Sequence, residues 1–122
     1  KLHFTGVTSP KSNEYIKRGK EGGIGVSCSV TPAHLYFTDE DLRTYNTNLK
    51  LFPPLRTAAE KELLKEAVVS GAVDCIATHH LPHEYDSKVC EFQEAKFGMI
   101  GLETCYGAVG AALGDVLTAQ RW

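Results

Sequence analysis

Short apolar runs alternate with helix-like segments along this 122-residue chain, and this alternation constrains the fold more than any other feature. The strand-like runs are residues 1–7, 24–30 and 72–78. Segments with helical spacing follow them at residues 10–20, 58–70 and 102–113. Alternating strands and helices form βα units whose strands lie parallel in one sheet. The sequence therefore predicts an α/β fold, with its third strand apolar enough to be buried on both faces.

The helix boundaries carry local signals. Ser9 is a candidate N-cap and Pro10 suits the first helical position. Thr57 followed by Glu60 has the spacing of a capping box, and Gly71 is suited to the end of that second helix. We also expect one more helix to start near Leu117.

Composition excludes several classes of protein. The chain is 43% hydrophobic and 23% charged, as globular domains are, and its formal net charge is −2. This charge argues against non-specific nucleic-acid binding and against a polybasic membrane-binding patch. No apolar run approaches the roughly 20 residues of a membrane span, and the first residues do not resemble a signal peptide. We therefore expect a cytoplasmic protein with no nucleic-acid or membrane partner.

The four cysteines form no CxxC pair and are too sparse for a disulfide framework. Cys28 and Cys75 lie within strand-like runs, where a thiol usually packs as a small hydrophobe. We expect all four to be reduced structural thiols.

Three histidines, His79, His80 and His83, follow the third predicted strand within five residues. Imidazoles bind metals and transfer protons near neutral pH. Side chains that follow a parallel strand lie at the sheet edge where α/β proteins bind their substrates. A functional cluster is favoured over a histidine-rich surface loop, and Glu84 either orients an imidazole or is an exposed loop charge.

The other long irregular stretch, residues 31–56, is rich in aromatic residues, which favours an ordered, packed loop. Its His34 is interpreted as a packed, hydrogen-bonded structural residue rather than a metal ligand.

Five motifs, in order along nearly the whole chain, resemble those of dihydroorotases. They are KLHFTGVTS at 1–9, VTPAHL at 30–35 followed by TDED at 38–41, TNLKLFPPLRT at 47–57, DCIATHHLPH at 74–83 and FGMIGLET at 97–104. The family patterns that they resemble are HxxHxST, VTPHHL with TDED, TNxKVNPPLRT, DxIATDHxPH and FGIIGLET.

The resemblance implies a zinc-dependent amidohydrolase on a (β/α)8 barrel, which interconverts N-carbamoyl-aspartate and dihydroorotate in pyrimidine biosynthesis. It implies that residues 1–122 are a C-terminal fragment of that metal-dependent barrel domain, a partial TIM barrel with its last three βα units. On this interpretation the chain is inactive alone, because the ligands of earlier strands are missing. The whole protein would act on a small molecule and could form a homo-oligomer.

Three positions depart from the family pattern. Gly6 stands where the family has a metal-binding histidine, and a glycine cannot act as a side-chain ligand. His79 stands where the family has an aspartate that binds metal and moves a proton, so it is the candidate catalytic residue and metal ligand. Phe52 replaces an asparagine that contacts the substrate.

The other site positions match the family. His83 corresponds to a histidine that contacts the substrate carboxylate. Phe97 and Gly98 correspond to a pair whose backbone lines the same pocket.

Three hypotheses remain open from the sequence. The first is a working dihydroorotase with altered ligands, in which His3 or His79 binds the metal. The second is a non-catalytic scaffold that binds aspartate transcarbamoylase, and the third is a hydantoinase-like enzyme with a more apolar pocket at Phe52. The overall resemblance to dihydroorotases favours the first hypothesis. The changed residues at Gly6, His79 and Phe52 favour the second on chemical grounds.

Overall fold

A computed structural model describes residues 1–114 of the chain. Its strands are β1 (Leu2–Phe4), β2 (Val26–Val30) and β3 (Cys75–Ile76), and its helices are α1 (Pro10–Glu21), α2 (Pro32–Tyr36), α3 (Ala58–Val69) and α4 (Cys105–Leu113). Short 3-10 turns occur at Asp39–Thr44, Thr47–Leu49 and Tyr85–Ser87. The helix expected near Leu117 lies outside the described residues. No helix within residues 1–114 is long and apolar enough to cross a membrane.

The three strands form one parallel sheet in the order β1-β2-β3. Leu2 is in register with Val26, and Ser29 is in register with Cys75. The predicted α/β arrangement with parallel βα units is therefore confirmed. The carboxyl ends of all three strands lie at one edge of the sheet, because parallel strands share a direction.

The third strand differs from its prediction. A strand over residues 72–78 buried on both faces was expected, but β3 has only two residues and Cys75 is exposed. The reason is that, in the described sheet, β3 is an edge strand with β2 as its one neighbour. The prediction of a buried thiol is correct for Cys28, which is fully buried, and wrong for Cys75.

The helix boundaries largely follow their local signals. Pro10 begins α1 as predicted, although the Ser9 side chain makes no capping hydrogen bond. Thr57 and Glu60 form the predicted capping box at the start of α3. The loop over residues 31–56 is ordered and contains the five-residue helix α2, which is too short to leave a periodic signal.

The two faces of the sheet differ in character. Cys28 and Val30 of β2 are completely buried in an apolar core with the helices. The core consists of Val7, Ile16, Cys28, Val30, Leu35, Leu64, Val73, Val109 and Leu113. Ser27 and Ser29 alternate with the core residues and hydrogen-bond to His3 of β1. One face of the sheet is thus a packed apolar core, and the other carries polar side chains.

Candidate active site

A cavity of about 450 Å³ lies at the carboxyl ends of β2 and β3. Four of the site positions implied by the family resemblance line it, namely Phe52, His79, Phe97 and Gly98. Thr31 and His34 line it from just after β2, and Thr78 and His80 line it from just after β3. A cavity of this size suits a small-molecule ligand.

His79 is held at the cavity by its neighbours from the β1 end. Its Nε2 lies 2.8 Å from Oγ1 of Thr5. Its Cε1 lies 2.6 Å from the point that a Cβ on Gly6 would occupy. The imidazole of His79 therefore occupies the space next to Gly6 into which a side chain at position 6 would extend.

A series of hydroxyl contacts continues from Thr5 across the polar face of the sheet. Ser29 donates to Oγ1 of Thr5 at 3.3 Å, and Nε2 of His3 lies 3.2 Å from Oγ of Ser29. Nδ1 of His3 lies 2.8 Å from Oγ of Ser27. Both ring nitrogens of His3 are thus engaged by hydroxyl groups, and the geometry offers no free nitrogen there for a metal.

His34 is a buried structural histidine, as predicted from the sequence. Its Nε2 lies 2.9 Å from the carbonyl oxygen of Pro53, and its Nδ1 lies 2.6 Å from Oγ1 of Thr31. Its residue is only 4% exposed. Burial lowers the pKa of His34 below its usual value, because the charged ring loses its hydration.

The segment around Gly98 is fixed from three sides. Gly98 donates its backbone N–H to the carbonyl oxygen of Lys50 at 2.9 Å, and its own carbonyl accepts from Nζ of Lys88 at 2.9 Å. Its φ of +130° is open to glycine, and a Cβ there would lie 2.8 Å from the carbonyl oxygen of Leu81. Burial lowers the pKa of Lys88, and repulsion from Lys50 lowers it further.

His83 is close to this segment but does not line the cavity. Its Nε2 lies 2.8 Å from the carbonyl oxygen of Phe97, so the ring donates there. The contact of His83 with a substrate carboxylate stays a prediction. With Nε2–H committed to Phe97, Nδ1 can donate to a carboxylate only when both ring nitrogens are protonated.

Phe52 and Phe97 form an aromatic wall of the cavity. Their ring centroids are 5.8 Å apart at 67°, an edge-to-face arrangement. Nζ of Lys50 lies 4.8 Å from the Phe97 ring centroid, within the range of a cation–π contact. Phe52 is 77% exposed, so most of its ring is available to a ligand.

Glu84 orients no imidazole. Its carboxylate accepts from Nζ of Lys96 at 2.8 Å and from the hydroxyl of Ser87. These two contacts, with Lys96 the stronger, lower the pKa of Glu84 to about 2. Of the two interpretations left open, an exposed loop charge is the one that the structure supports.

Sequence reasoning placed His80 in the candidate histidine cluster but gave it no individual role. Its Nδ1 accepts backbone N–H groups from Gly101 at 3.1 Å and Leu102 at 3.2 Å. Its position between two other histidines gave no sign of this role, because the two amides belong to a segment about 20 residues further along the chain.

The described residues do not by themselves fit a zinc centre. No group of three or more His, Cys, Asp or Glu side chains within residues 1–114 is arranged to hold a metal ion. Gly6 offers no ligand, and of the two histidines proposed as replacements only His79 retains a free ring nitrogen. We therefore derive no catalytic step through zinc from these residues.

Comparison with known proteins shows which family this sequence resembles. Curated dihydroorotases are 44% identical over 113 residues in Caldanaerobacter subterraneus and 40% identical over 115 residues in Streptomyces coelicolor. These matches cover 93% and 94% of this chain. By sequence, the chain belongs to the dihydroorotase family. No family model matches it.

The dihydroorotase match is partial in length. The chain spans 26% of the Caldanaerobacter protein and 27% of the Streptomyces protein. It spans about a quarter of the curated relatives that it matches, so the activity of a whole dihydroorotase does not pass directly to it.

Solved structures agree with the fold of this dihydroorotase-family chain. L-hydantoinase from Arthrobacter aurescens superposes with a TM-score of 0.90 at 26% identity, over 98% of this chain and 28% of the hydantoinase. Dihydroorotase from Saccharomyces cerevisiae in complex with 5-fluoroorotic acid superposes with a TM-score of 0.79 at 18% identity. The match covers 93% of this chain and 32% of that enzyme. The yeast likeness shows a shared fold alone.

Proposed function

We propose that this chain supplies the substrate-binding side of a cyclic amidohydrolase of the dihydroorotase type, which hydrolyses or closes a ring amide. The observation that carries the proposal is the cavity at the carboxyl ends of β2 and β3, which gathers His79, Phe97 and Gly98. Sequence identity of 40–45% to curated dihydroorotases supports the substrate class, which is dihydroorotate and N-carbamoyl-aspartate.

We further propose that residues 1–122 correspond to the last three βα units of a (β/α)8 barrel. The parallel order β1-β2-β3 and the quarter-length match to the relatives support this placement. The working enzyme then contains further strands that close the sheet.

In this proposal the chain's own residues bind and orient the ring. The Gly98 segment, held by Lys50 and Lys88, forms a rigid wall, and Phe52 with Phe97 forms an apolar one. His83 contacts the substrate carboxylate through Nδ1 in its doubly protonated form, in which both ring nitrogens donate. Zinc is expected from the family, and its ligands other than His79 would come from outside residues 1–114.

The decisive experiment measures ring opening by the full-length protein. Dihydroorotate is supplied, and N-carbamoyl-aspartate is quantified by chromatography together with the zinc content of the protein. Turnover that is lost on chelation and restored by zinc supports the proposal. A folded full-length protein that binds dihydroorotate without turning it over contradicts it.

A hydantoinase-like activity is a second candidate. The aromatic wall of Phe52 and Phe97 is the observation that favours it, because it suits a ring with an apolar substituent better than the carboxylate of dihydroorotate. Parallel assays with dihydroorotate and a 5-substituted hydantoin distinguish the two by the ratio of kcat/KM values.

A non-catalytic scaffold is the third candidate, favoured by the missing ligand at Gly6 and the changed one at His79. The partner that the resemblance implies is aspartate transcarbamoylase. A full-length protein without turnover that forms a stable complex with that enzyme in size-exclusion chromatography supports this candidate, and stoichiometric zinc with turnover excludes it.

A further inference from the structure

The tautomer of His80 is set by the backbone rather than by a rotatable group. Its Nδ1 faces the amide nitrogens of Gly101 at 3.1 Å and Leu102 at 3.2 Å. A backbone amide can only donate, so Nδ1 must carry the lone pair that accepts. The proton of the neutral ring is therefore on Nε2.

The two donors are themselves held in place. Leu81 donates its N–H to the carbonyl oxygen of Met99 at 3.0 Å, and His80 and Met99 form a parallel bridge. A Cβ on Gly101 would approach the carbonyl oxygen of Thr78 to 3.0 Å, so the two segments lie in close contact. The amides cannot turn away from Nδ1 without breaking this pairing.

The other two imidazoles that line the cavity are engaged differently. Nε2 of His79 faces the hydroxyl of Thr5, which rotates and can donate or accept. His34 is buried, with both ring nitrogens bonded inside the protein. Of these three, His80 alone combines a fixed tautomer with an Nε2–H that has no partner within residues 1–114.

We propose that Nε2–H of His80 is a fixed hydrogen-bond donor of the cavity, which binds an acceptor oxygen of the ring substrate, a carbonyl or a carboxylate. The proposal rests on the proposed function for the substrate class and adds a specificity-determining residue to it. A donor whose direction is preset by two amides loses little entropy when the ligand binds. A ring with a nitrogen donor at that place would be rejected, because two donors would face each other.

The test separates the two nitrogens of His80 in the full-length protein. In His80→Asn the side-chain oxygen lies near the Nδ1 position and can still accept from both amides, but nothing reaches the Nε2 position. In His80→Gln the longer amide brings an N–H close to the Nε2 position. We expect His80→Asn to bind dihydroorotate at least roughly tenfold more weakly, which is the loss for one hydrogen bond to a charged or buried group. His80→Gln should recover part of that loss, and His80→Asn should keep the wild-type melting temperature because it keeps the acceptor for the two amides.

A purely structural His80 predicts the opposite pattern. His80→Asn would then bind dihydroorotate as tightly as wild type, because it keeps the acceptor for the two amides, and this result overturns the proposal. If the variants fail to fold, the wild-type protein provides a second test. Nitrogen-15 NMR of its histidine rings should show Nδ1 unprotonated and Nε2 protonated, with the Nε2–H resonance moving when dihydroorotate is added. A protonated Nδ1 in the neutral ring, or an Nε2–H resonance that does not respond, overturns the proposal.

The outcomes distinguish this inference from the proposed function. Suppose that the wild-type protein binds dihydroorotate without hydrolysing it and that His80→Asn binds it weakly. This result supports the proposal that His80 is a donor and contradicts the proposed enzymatic function. If the wild-type protein hydrolyses dihydroorotate and His80→Asn has unchanged affinity, the proposed enzymatic function is supported and the proposal that His80 is a donor is overturned.

Discussion

Gly6 and His79 compete for one volume. A Cβ on Gly6 would lie 2.6 Å from Cε1 of His79, closer than real contacts allow. The φ of Gly6 is +68°, a region that costs most side chains about 1–2 kcal/mol but in which histidine is comparatively frequent. The two departures from the family pattern are therefore physically linked, since the ring at position 79 fills the space left at position 6.

This link predicts a strong coupling between the two positions. Gly6→His alone should lower the free energy of unfolding by about 2–4 kcal/mol, from overpacking and backbone strain together. Adding His79→Asp should remove the overpacking part of that loss, because the shorter side chain vacates the space, and should leave the backbone strain. Urea unfolding of both single variants and the double variant in the full-length protein measures the coupling energy. Additive losses would show that the two side chains do not compete.

His34 makes stability depend on pH at the residue scale. Burial lowers the pKa of His34 in the folded state below its usual value of 6.5, so the unfolded chain binds the proton more readily. The contribution of His34 to stability is thus fully present above pH 6.5 and is lost as the pH falls below 6.5 toward the lowered folded-state pKa.

We expect the melting temperature to fall between about pH 7 and pH 5 for this reason. His34→Gln is the matched control, because its amide can donate to the carbonyl of Pro53 but does not titrate. The variant should be less stable at pH 7 and should show a shallower pH dependence. An identical slope in wild type and variant would assign the pH dependence to other groups.

At the scale of elements, local signals and neighbours decide different things. The start of α3 is fixed by Thr57, whose Oγ1 accepts from the Glu60 N–H at 3.4 Å while the Glu60 carboxylate accepts from Thr57. Such a box is complete within four residues and is readable from the sequence. The length of β3 depends on which strands lie beside it, and no run of residues records that.

The capping box predicts a measurable effect on α3. Thr57→Ala should lower the free energy of unfolding by about 1 kcal/mol, because the first turn of the helix loses its hydroxyl acceptor. Thr57→Ser keeps the hydroxyl and should lose much less. Chemical denaturation of the two variants side by side makes the comparison, and equal losses would show that the methyl group of Thr57 matters more than its cap.

At the scale of the whole molecule, the described fold leaves apolar surface uncovered. Leu2 and Phe4 of β1 are 56% and 43% exposed. A groove of about 650 Å³ runs beside β3, lined by apolar side chains that include Val69, Ile76 and Leu102. Both outer strands of the sheet also present an unpaired edge within residues 1–114. Unpaired edges and apolar surface promote association between chains.

The 122-residue chain produced alone should therefore associate or aggregate. We expect light scattering after size-exclusion chromatography to give masses well above 13.4 kDa, with no cooperative thermal transition of a monomer. The matched control is the full-length protein, in which the proposed barrel would add strands that cover the same edges. A monodisperse monomer of 13.4 kDa that melts cooperatively would contradict this prediction.

The sequence alone determined the order of strands and helices, the parallel sheet, the cap at Thr57, the buried role of His34 and the kinship carried by the five motifs. All of these depend on periodicity or on residues close together in the chain. Only the tertiary structure decided the short, exposed β3, the contact of His79 with Thr5 and Gly6, and the tautomer of His80. Each of these depends on groups that are about 20 to 74 residues apart, which meet only when the strands and loops are packed together.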